Sequence, residues 1–324
     1  MKWNHAPSDG SLILSADAAA IARAGVALRD GGLVALPTET VYGLAARADD
    51  ADAVAAIYRA KGRPDFNPLI VHVPDVAAAR RLAVFDARAE AVAAAFWPGP
   101  LTLVLPLRGD AGLAAAVTAG LPTLALRCPA HPVMRAVLAE AGVPLAAPSA
   151  NRSGGVSPTT AGHVAQSLGG RVPLILDGGS CAAGIESTIL VLRSDAAGKD
   201  AGWQVLRPGP ISAEQIAAVI GGGALVDASR GIEAPGQMTS HYAPGKPLRL
   251  HARDAAPDEF VIGFGVITGD INLSPGGDLA EAAAQLYAAL HAAAAAAQPR
   301  IAVAPIPGHG IGAAINDRLR RAAA

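Results

Sequence analysis

The chain has 324 residues, 52% of them hydrophobic but only 4% aromatic, and a formal charge of -1. That length suits one large domain with a smaller companion, and the apolar fraction excludes a disordered chain. The near-neutral balance excludes a surface built to coat polyanions and leaves only a local basic groove for such contacts.

At the amino terminus, Met1 to Ser11 carries Asn4, His5, Pro7, Ser8 and Asp9 where a secretory leader needs an apolar run. Cys128 and Cys181 are the only cysteines, and neither has a partner at metal-ligand spacing, so the reading is a cytoplasmic protein without a disulfide framework or structural zinc. Strand-like and helix-like segments then alternate to about residue 220. Leu33 to Leu36 reads as a short strand stopped by Pro37, and Asp52 to Ala60 repeats apolar residues at helical spacing before the end signals Gly62 and Pro64. Leu69 to Val73, Leu101 to Leu105, Thr123 to Arg127, Leu145 to Ala147, Leu174 to Leu176, Thr188 to Leu192 and Gln204 to Leu206 read as further strands. Helices fit His131 to Glu140 and Thr159 to Leu168. Some connections are too short for a crossover, which predicts an α/β fold with a twisted mixed sheet covered by helices.

After Gly221-Gly222-Gly223 the pattern breaks, and Asp227 to Lys246 is polar, rich in Gly and Pro, and aperiodic. Beyond it, strands at Leu248 to His251, Phe260 to Phe264 and Ile301 to Ala304, with helices at Leu279 to Ala297 and from Ile311, predict a smaller C-terminal α/β domain. The expected boundaries are a large domain over 1–225, a linker over 226–247 and the C-terminal domain over 248–324. The stretch Leu279 to Ala297 is interrupted by Glu281, Gln285 and His291 and is too weakly apolar for a membrane span.

Lysine occurs only at positions 2, 61, 199 and 246, so Lys61 beside Arg63 in a Gly/Pro turn is informative. Cations at a helix end can simply favour the negative pole of the macrodipole; here Asn67 and His72 follow at once, and the turn can aim both cations at one anion. His72 shares a strand face with Ile70 and reads either as a core histidine or as a pocket residue. The loop Pro148-Ser149-Ala150-Asn151-Arg152-Ser153-Gly154-Gly155 offers hydroxyl, amide and backbone N–H groups that can wrap an anion, although such loops are also ordinary turns. Ser157-Pro158-Thr159-Thr160 reads as a helix start with further free N–H groups. Arg127, Arg152 and Arg207 lie at or beside strand ends, either in surface ion pairs or gripping a carboxylate or phosphate through paired hydrogen bonds. No P-loop, no Gly-x-Ser-x-Gly elbow and no His-x-x-x-His pair occurs, and Gly308-His309-Gly310-Ile311-Gly312-Ala313 lies too near the last residue for a dinucleotide fold and reads as a tight turn.

These clusters, in this order, resemble the YrdC-like L-threonylcarbamoyladenylate synthases. The resemblance rests on Pro37-Thr38-Glu39-Thr40-Val41-Tyr42-Gly43-Leu44, Lys61-x-Arg63, Trp97-Pro98-Gly99-Pro100-Leu101-Thr102, Ser149-x-Asn151, Gly184-Ile185-Glu186-Ser187-Thr188 and Arg207-Pro208-Gly209. His241-Tyr242-Ala243-Pro244 and Ala314-Ile315-Asn316-Asp317-Arg318-Leu319 look like the long form with an added C-terminal domain.

The resemblance implies that L-threonine, bicarbonate and ATP are joined into threonylcarbamoyl-AMP with release of pyrophosphate. Downstream tRNA threonylcarbamoyl-transfer machinery would use the product, with no membrane and no stable nucleic-acid complex. It implies catalytic positions at Lys61, Arg63, Ser149 and Asn151, and an L-threonine subsite of Arg127, Thr40, His72, Ser187 and the Ala147 backbone. ATP would meet Arg63, Asn67, Thr123, Ser149, Ser157, Arg207 and Tyr242, accompanied by Mg2+ held by phosphate oxygens and water. Tyr242 lies in the linker, which is expected to close over the pocket as a lid. Competing readings are a nucleotide- or RNA-binding module without catalysis, and a carbamoyl-transferring relative. Against the latter stands the lack of accessory zinc-binding and acylphosphatase-like regions.

Overall fold

The computed structural model describes residues 10–194, 200–222, 233–234 and 241–324. The first strand, β1 (Leu12–Ser15), leads into helix α1 (Ala18–Arg29), where the Asp17 carboxylate accepts the amide of Ala20 and satisfies an otherwise free donor. β2 (Val34–Leu36) and β3 (Gly43–Arg47) pair antiparallel. α2 (Ala51–Lys61) is capped by Asp50 and ends at Gly62, whose left-handed φ of 59° turns the chain back sharply. β4 (Ile70–His72), α3 (Val76–Leu82), α4 (Ala87–Phe96), β5 (Leu101–Pro106) and β6 (Thr123–Arg127) follow. Then come α5 (Pro132–Ala141), β7 (Leu145–Ala146), α6 (Ala161–Leu168) and β8 (Leu174–Asp177). β9 (Thr188–Ser194), β10 (Asp200–Arg207) and α7 (Ala213–Ile220) complete this part.

Among the described residues these strands form one sheet in the order β1-β8-β2-β3-β7-β4-β6-β5-β9-β10. The directions are mixed as expected: β4 runs parallel to β6, whereas β7 is antiparallel to both β3 and β4. Val34, Leu36, Ala45 and Leu145 pack on one face with Ala24 and Leu28 of α1 and Val137 of α5. The opposite face buries Leu44, Val71, Leu103 and Leu126 against Val54 and Ile57 of α2 and Val92 of α4. Beyond these helical layers, Ile70, Ala125 and Ile189 belong to a smaller cluster on the strand face that bears the site.

The C-terminal unit contains β11 (Leu248–Arg249), β12 (Glu259–Gly263), β13 (Ile271–Asn272), α8 (Leu279–Ala295), β14 (Arg300–Val303) and α9 (Ile311–Ala322). Its sheet, ordered β11-β14-β12-β13, is parallel throughout. Its core includes Ile262, Leu286, Leu290 and Ile315, and also Val41, Val156 and Ile185 from the first part of the chain. The two parts therefore share apolar packing. Most of the expected linker at 226–247 lies outside the described residues; its end, from His241, is described. No helix among the described residues is long and apolar enough to cross a membrane.

Candidate active site

The cavity forms across one face of the central strands. Ile70 and His72, two residues apart on β4, both line it, and the β4–β6 register sets Arg127 opposite His72. After β7 the chain continues beside β3, with Gly43 bridged to Ser149 and the Leu44 amide donating to the Pro148 carbonyl. This places Gly43, Ala147 and Ser149 in the same wall. Thr38, Thr40, Arg63, Glu186, Ser187, Arg207, His241 and Tyr242 complete the polar lining.

Gly62 explains how Arg63 enters. The reversal at the end of α2 lets the Arg63 amide donate to the Tyr58 carbonyl, while its guanidinium donates to the carbonyls of Asn67 (3.2 Å) and Pro68 (2.8 Å). Burial, with the nearby Arg207 cation acting in the same direction, lowers the Arg63 pKa to about 10. Arg127 is 4% exposed. Its Nη2 lies 2.6 Å from Glu39 Oε1, its Nη1 donates to Thr40 Oγ1 (2.8 Å) and its Nε donates to the Gly99 carbonyl (3.2 Å). Burial opposes ionisation of Glu39, but the Arg127 charge and hydrogen bond outweigh it and hold the carboxyl below its usual range. Arg207 donates from Nε and Nη2 to the Ser187 carbonyl and from Nη2 to Ser187 Oγ (3.1 Å), and that hydroxyl also meets Thr102 Oγ1 at 2.8 Å.

His72 is neutral at pH 7. Burial, reinforced by the Arg127 cation, lowers its pKa to about 3, and among the described residues its Nδ1 is buried without a hydrogen-bond partner. A neutral imidazole with an unused nitrogen is a ready hydrogen-bonding group for a ligand.

The structure brings together Thr40, Arg63, His72, Arg127, Ala147, Ser149, Ser187, Arg207 and Tyr242 in one lining. Other expected site residues sit behind or beside it. Lys61 is buried and its Nζ donates to the carbonyls of Ser149 and Asn151, so it braces the loop from the rear; burial, then the Arg63 charge, push its pKa well down. Asn151 is buried, with Nδ2 donating to the carbonyls of Arg152 and Gly155 (2.8 Å each). Asn67 is buried in the turn that receives Arg63, and Ser157 is buried with its hydroxyl on Glu186. Thr123 is half-buried at the start of β6, opposite Pro106. Arg152 is exposed and turned to the Ser167 carbonyl.

Thr38, Glu186 and His241 in the lining, and Glu39 behind Arg127, were not among the expected site residues. Each falls inside a motif quoted for the resemblance, so the motif itself was the available signal. Among the described residues Glu186 is the only carboxylate in the lining, and Arg318 already holds it at 2.8 Å. These residues do not make a protein-held site for a divalent cation.

Two family profiles match the chain: one described as "Telomere recombination", covering Sua5, YciO and YrdC proteins, over residues 26–209, and one described as "Threonylcarbamoyl-AMP synthase, C-terminal domain" over 211–324. The chain belongs to the Sua5-type threonylcarbamoyl-AMP synthase family. Within this family it is 42% identical to the Bacillus subtilis threonylcarbamoyl-AMP synthase, across 96% of this chain and 94% of that protein. It is 37% identical to the Pyrococcus abyssi threonylcarbamoyl-AMP synthase, across 91% of each. The crystal structure of P. abyssi Sua5 complexed with L-threonine superposes with a TM-score of 0.86 and 35% identity, over 97% of this chain and 98% of that one. That superposition takes in both the mixed sheet and the parallel C-terminal sheet of this chain.

Proposed function

We propose that this chain condenses L-threonine, bicarbonate and ATP into threonylcarbamoyl-AMP, releasing pyrophosphate, and that the product feeds threonylcarbamoyladenosine formation on tRNA. The observation that carries this reading is the convergence of Arg63, Arg127 and Arg207 with Ser149 on one cavity. In the reaction the threonine nitrogen bonds to the bicarbonate carbon and water leaves. A carbamate oxygen then attacks the α-phosphorus and the bond to pyrophosphate breaks. Every reactant carries negative charge, so cations and oriented donors must hold them close against their repulsion.

Arg127, with its planar fork, takes the threonine carboxylate, and Thr40, His72, Ser187 and the Ala147 backbone complete that subsite. Its contact with Glu39 keeps the guanidinium in place before substrate arrives. His72, neutral and with Nδ1 unpaired among the described residues, acts as a hydrogen-bonding group toward the substrate. Arg63, Ser149, Arg207 and Tyr242 meet the nucleotide directly. Lys61 and Asn151 act by fixing the Ser149 loop, and Asn67 by fixing Arg63. We assign Ser157 a supporting role through Glu186, and leave Thr123 at the outer end of the ATP site. We take the linker over 226–247 to separate a catalytic domain over 1–225 from the C-terminal domain over 248–324, and Tyr242, in its described end, to close the pocket. Mg2+ arrives with ATP, held by phosphate oxygens and water. A cytoplasmic setting fits Cys128 and Cys181, both buried as free thiols.

Pyrophosphate release tests the reading. It is expected only when threonine, bicarbonate and ATP are all present; release without threonine, or none with all of them, would overturn it.

A further inference from the structure

The segment that carries Ser187 is held from behind by the C-terminal unit. Glu186 is 5% exposed and accepts hydrogen bonds from Ser157 Oγ, from Tyr287 OH on α8 (2.8 Å) and from Arg318 Nε on α9 (2.8 Å). Arg318 has no exposed surface, donates from Nη1 to Asp317 Oδ2 (2.8 Å) and lies 5.4 Å from the centre of the Tyr242 ring. Two glycines remove slack from the same segment. A Cβ on Gly184 would collide with the Cα and carbonyl oxygen of Ala284 on α8, and one on Gly209 with the Glu186 carbonyl and the Thr188 amide.

Burial alone raises the pKa of the Glu186 carboxyl. The charges of Arg318 and then Arg207, with hydrogen bonds from Ser157 and Arg318, reverse this and lower its pKa to about 2. An anion therefore lines a cavity meant for anionic substrates, one residue from Ser187 and within the field of Arg207. Left uncompensated, that carboxylate would repel phosphate and compete for the Arg207 guanidinium.

The structure assigns Arg318 as a positioning residue: from the C-terminal unit it takes up the charge of Glu186 and so leaves Arg207 available to the nucleotide. This gives the C-terminal unit a direct part in the site, and it rests on the reading that the cavity takes ATP. Arg318 itself need not touch substrate.

ATP titration by calorimetry, with melting temperatures measured alongside, tests the assignment in wild type, Arg318→Met, Arg318→Lys, Glu186→Gln and the double variant Glu186→Gln/Arg318→Met. Arg318→Met is expected to weaken ATP binding about tenfold or more, with Arg318→Lys between it and wild type. The double variant, which has lost the ion pair entirely, is expected to recover to within about threefold of wild type. A purely structural Arg318 would leave the double variant no better than the single one, and that result overturns the assignment. So does wild-type ATP affinity in folded Arg318→Met. Should Arg318→Met fail to fold, the double variant against Glu186→Gln decides: affinities within about threefold support the assignment, and a further tenfold loss overturns it. Absence of ATP binding in wild type would instead remove the nucleotide reading itself.

Discussion

Gly184 and Gly179 offer a matched pair of substitutions. Both lie in the left-handed region, with φ of 67° and 82°, so alanine at either position pays the same kind of backbone penalty, about 1–2 kcal/mol. Their surroundings differ. Nothing lies within 4 Å of a Cβ built on Gly179, whereas on Gly184 it would overlap backbone atoms of Ala283 and Ala284 in α8. Those atoms belong to a hydrogen-bonded helix and cannot swing aside as a side chain can, so an overpacking cost of about 1–3 kcal/mol adds to the first. Gly184→Ala is therefore expected to destabilise by about 2–5 kcal/mol, and Gly179→Ala by about 1–2 kcal/mol. Urea unfolding of both variants measures the difference. Gly184→Ala should also weaken L-threonine binding, because its relief moves the 184–187 segment. Equal stability of the two variants within about 0.5 kcal/mol would refute the claim that this loop is pressed against the C-terminal unit.

Arg127→Lys keeps the charge but loses the fork, and L-threonine affinity measured by calorimetry should fall about tenfold to a hundredfold; unchanged affinity removes Arg127 from the carboxylate role. His72 is neutral when folded, with a pKa of about 3 against 6.5 for the free side chain, so the unfolded chain binds the extra proton as pH drops below 6.5. Its contribution makes the fold lose stability as pH falls from 6.5 towards 3, by about 2 kcal/mol at pH 5. Denaturation of wild type and His72→Gln at pH 7.5 and pH 5 should show a shallower loss in the variant, and parallel losses would contradict a buried neutral His72. Tyr242 lines the cavity and stacks near Tyr287 with ring centres 5.6 Å apart. Tyr242→Ala should lower both ATP affinity and turnover, whereas full retention of both would dismiss the lid.

The strands of the sheet's middle were legible because they concentrate Leu, Val and Ile between turn residues. Leu101 to Leu105 and Thr123 to Arg127 match β5 and β6 closely, and Leu69 to Val73 overshoots β4 by one residue at each end. Helix α1 leaves little trace in the sequence, because its buried stripe contains Ala20, Ala24 and Ala27 and its exposed positions include more alanine, so little apolar contrast marks its period. β3, with the sequence Gly-Leu-Ala-Ala-Arg, hides for the same reason.

At the site, Arg63, Arg127 and Ser149 were readable as polar groups beside Gly/Pro turns, and they do share one cavity. Its place was less legible. Strand-end loops were expected, and Thr40, Ser149 and Ser187 do come from them, but the lining also takes in the β4 face through Ile70 and His72, a consequence of register that spacing alone does not give. Lys61 reads as a substrate cation in sequence, but its stem turns into the fold and its ammonium is taken by two carbonyls. The meaning of Glu186 depends on Arg318, 132 positions away, and no local pattern announces that pairing.

In the proposed reaction one cationic cavity joins the carbamate of threonine to the α-phosphorus of ATP. Mass spectrometry of the products formed by the purified chain from threonine, ATP and 13C-bicarbonate tests it most directly. An adenylate that carries both the threonyl group and the bicarbonate label is expected. An adenylate without the label, or ATP consumed only to ADP and phosphate, would contradict it.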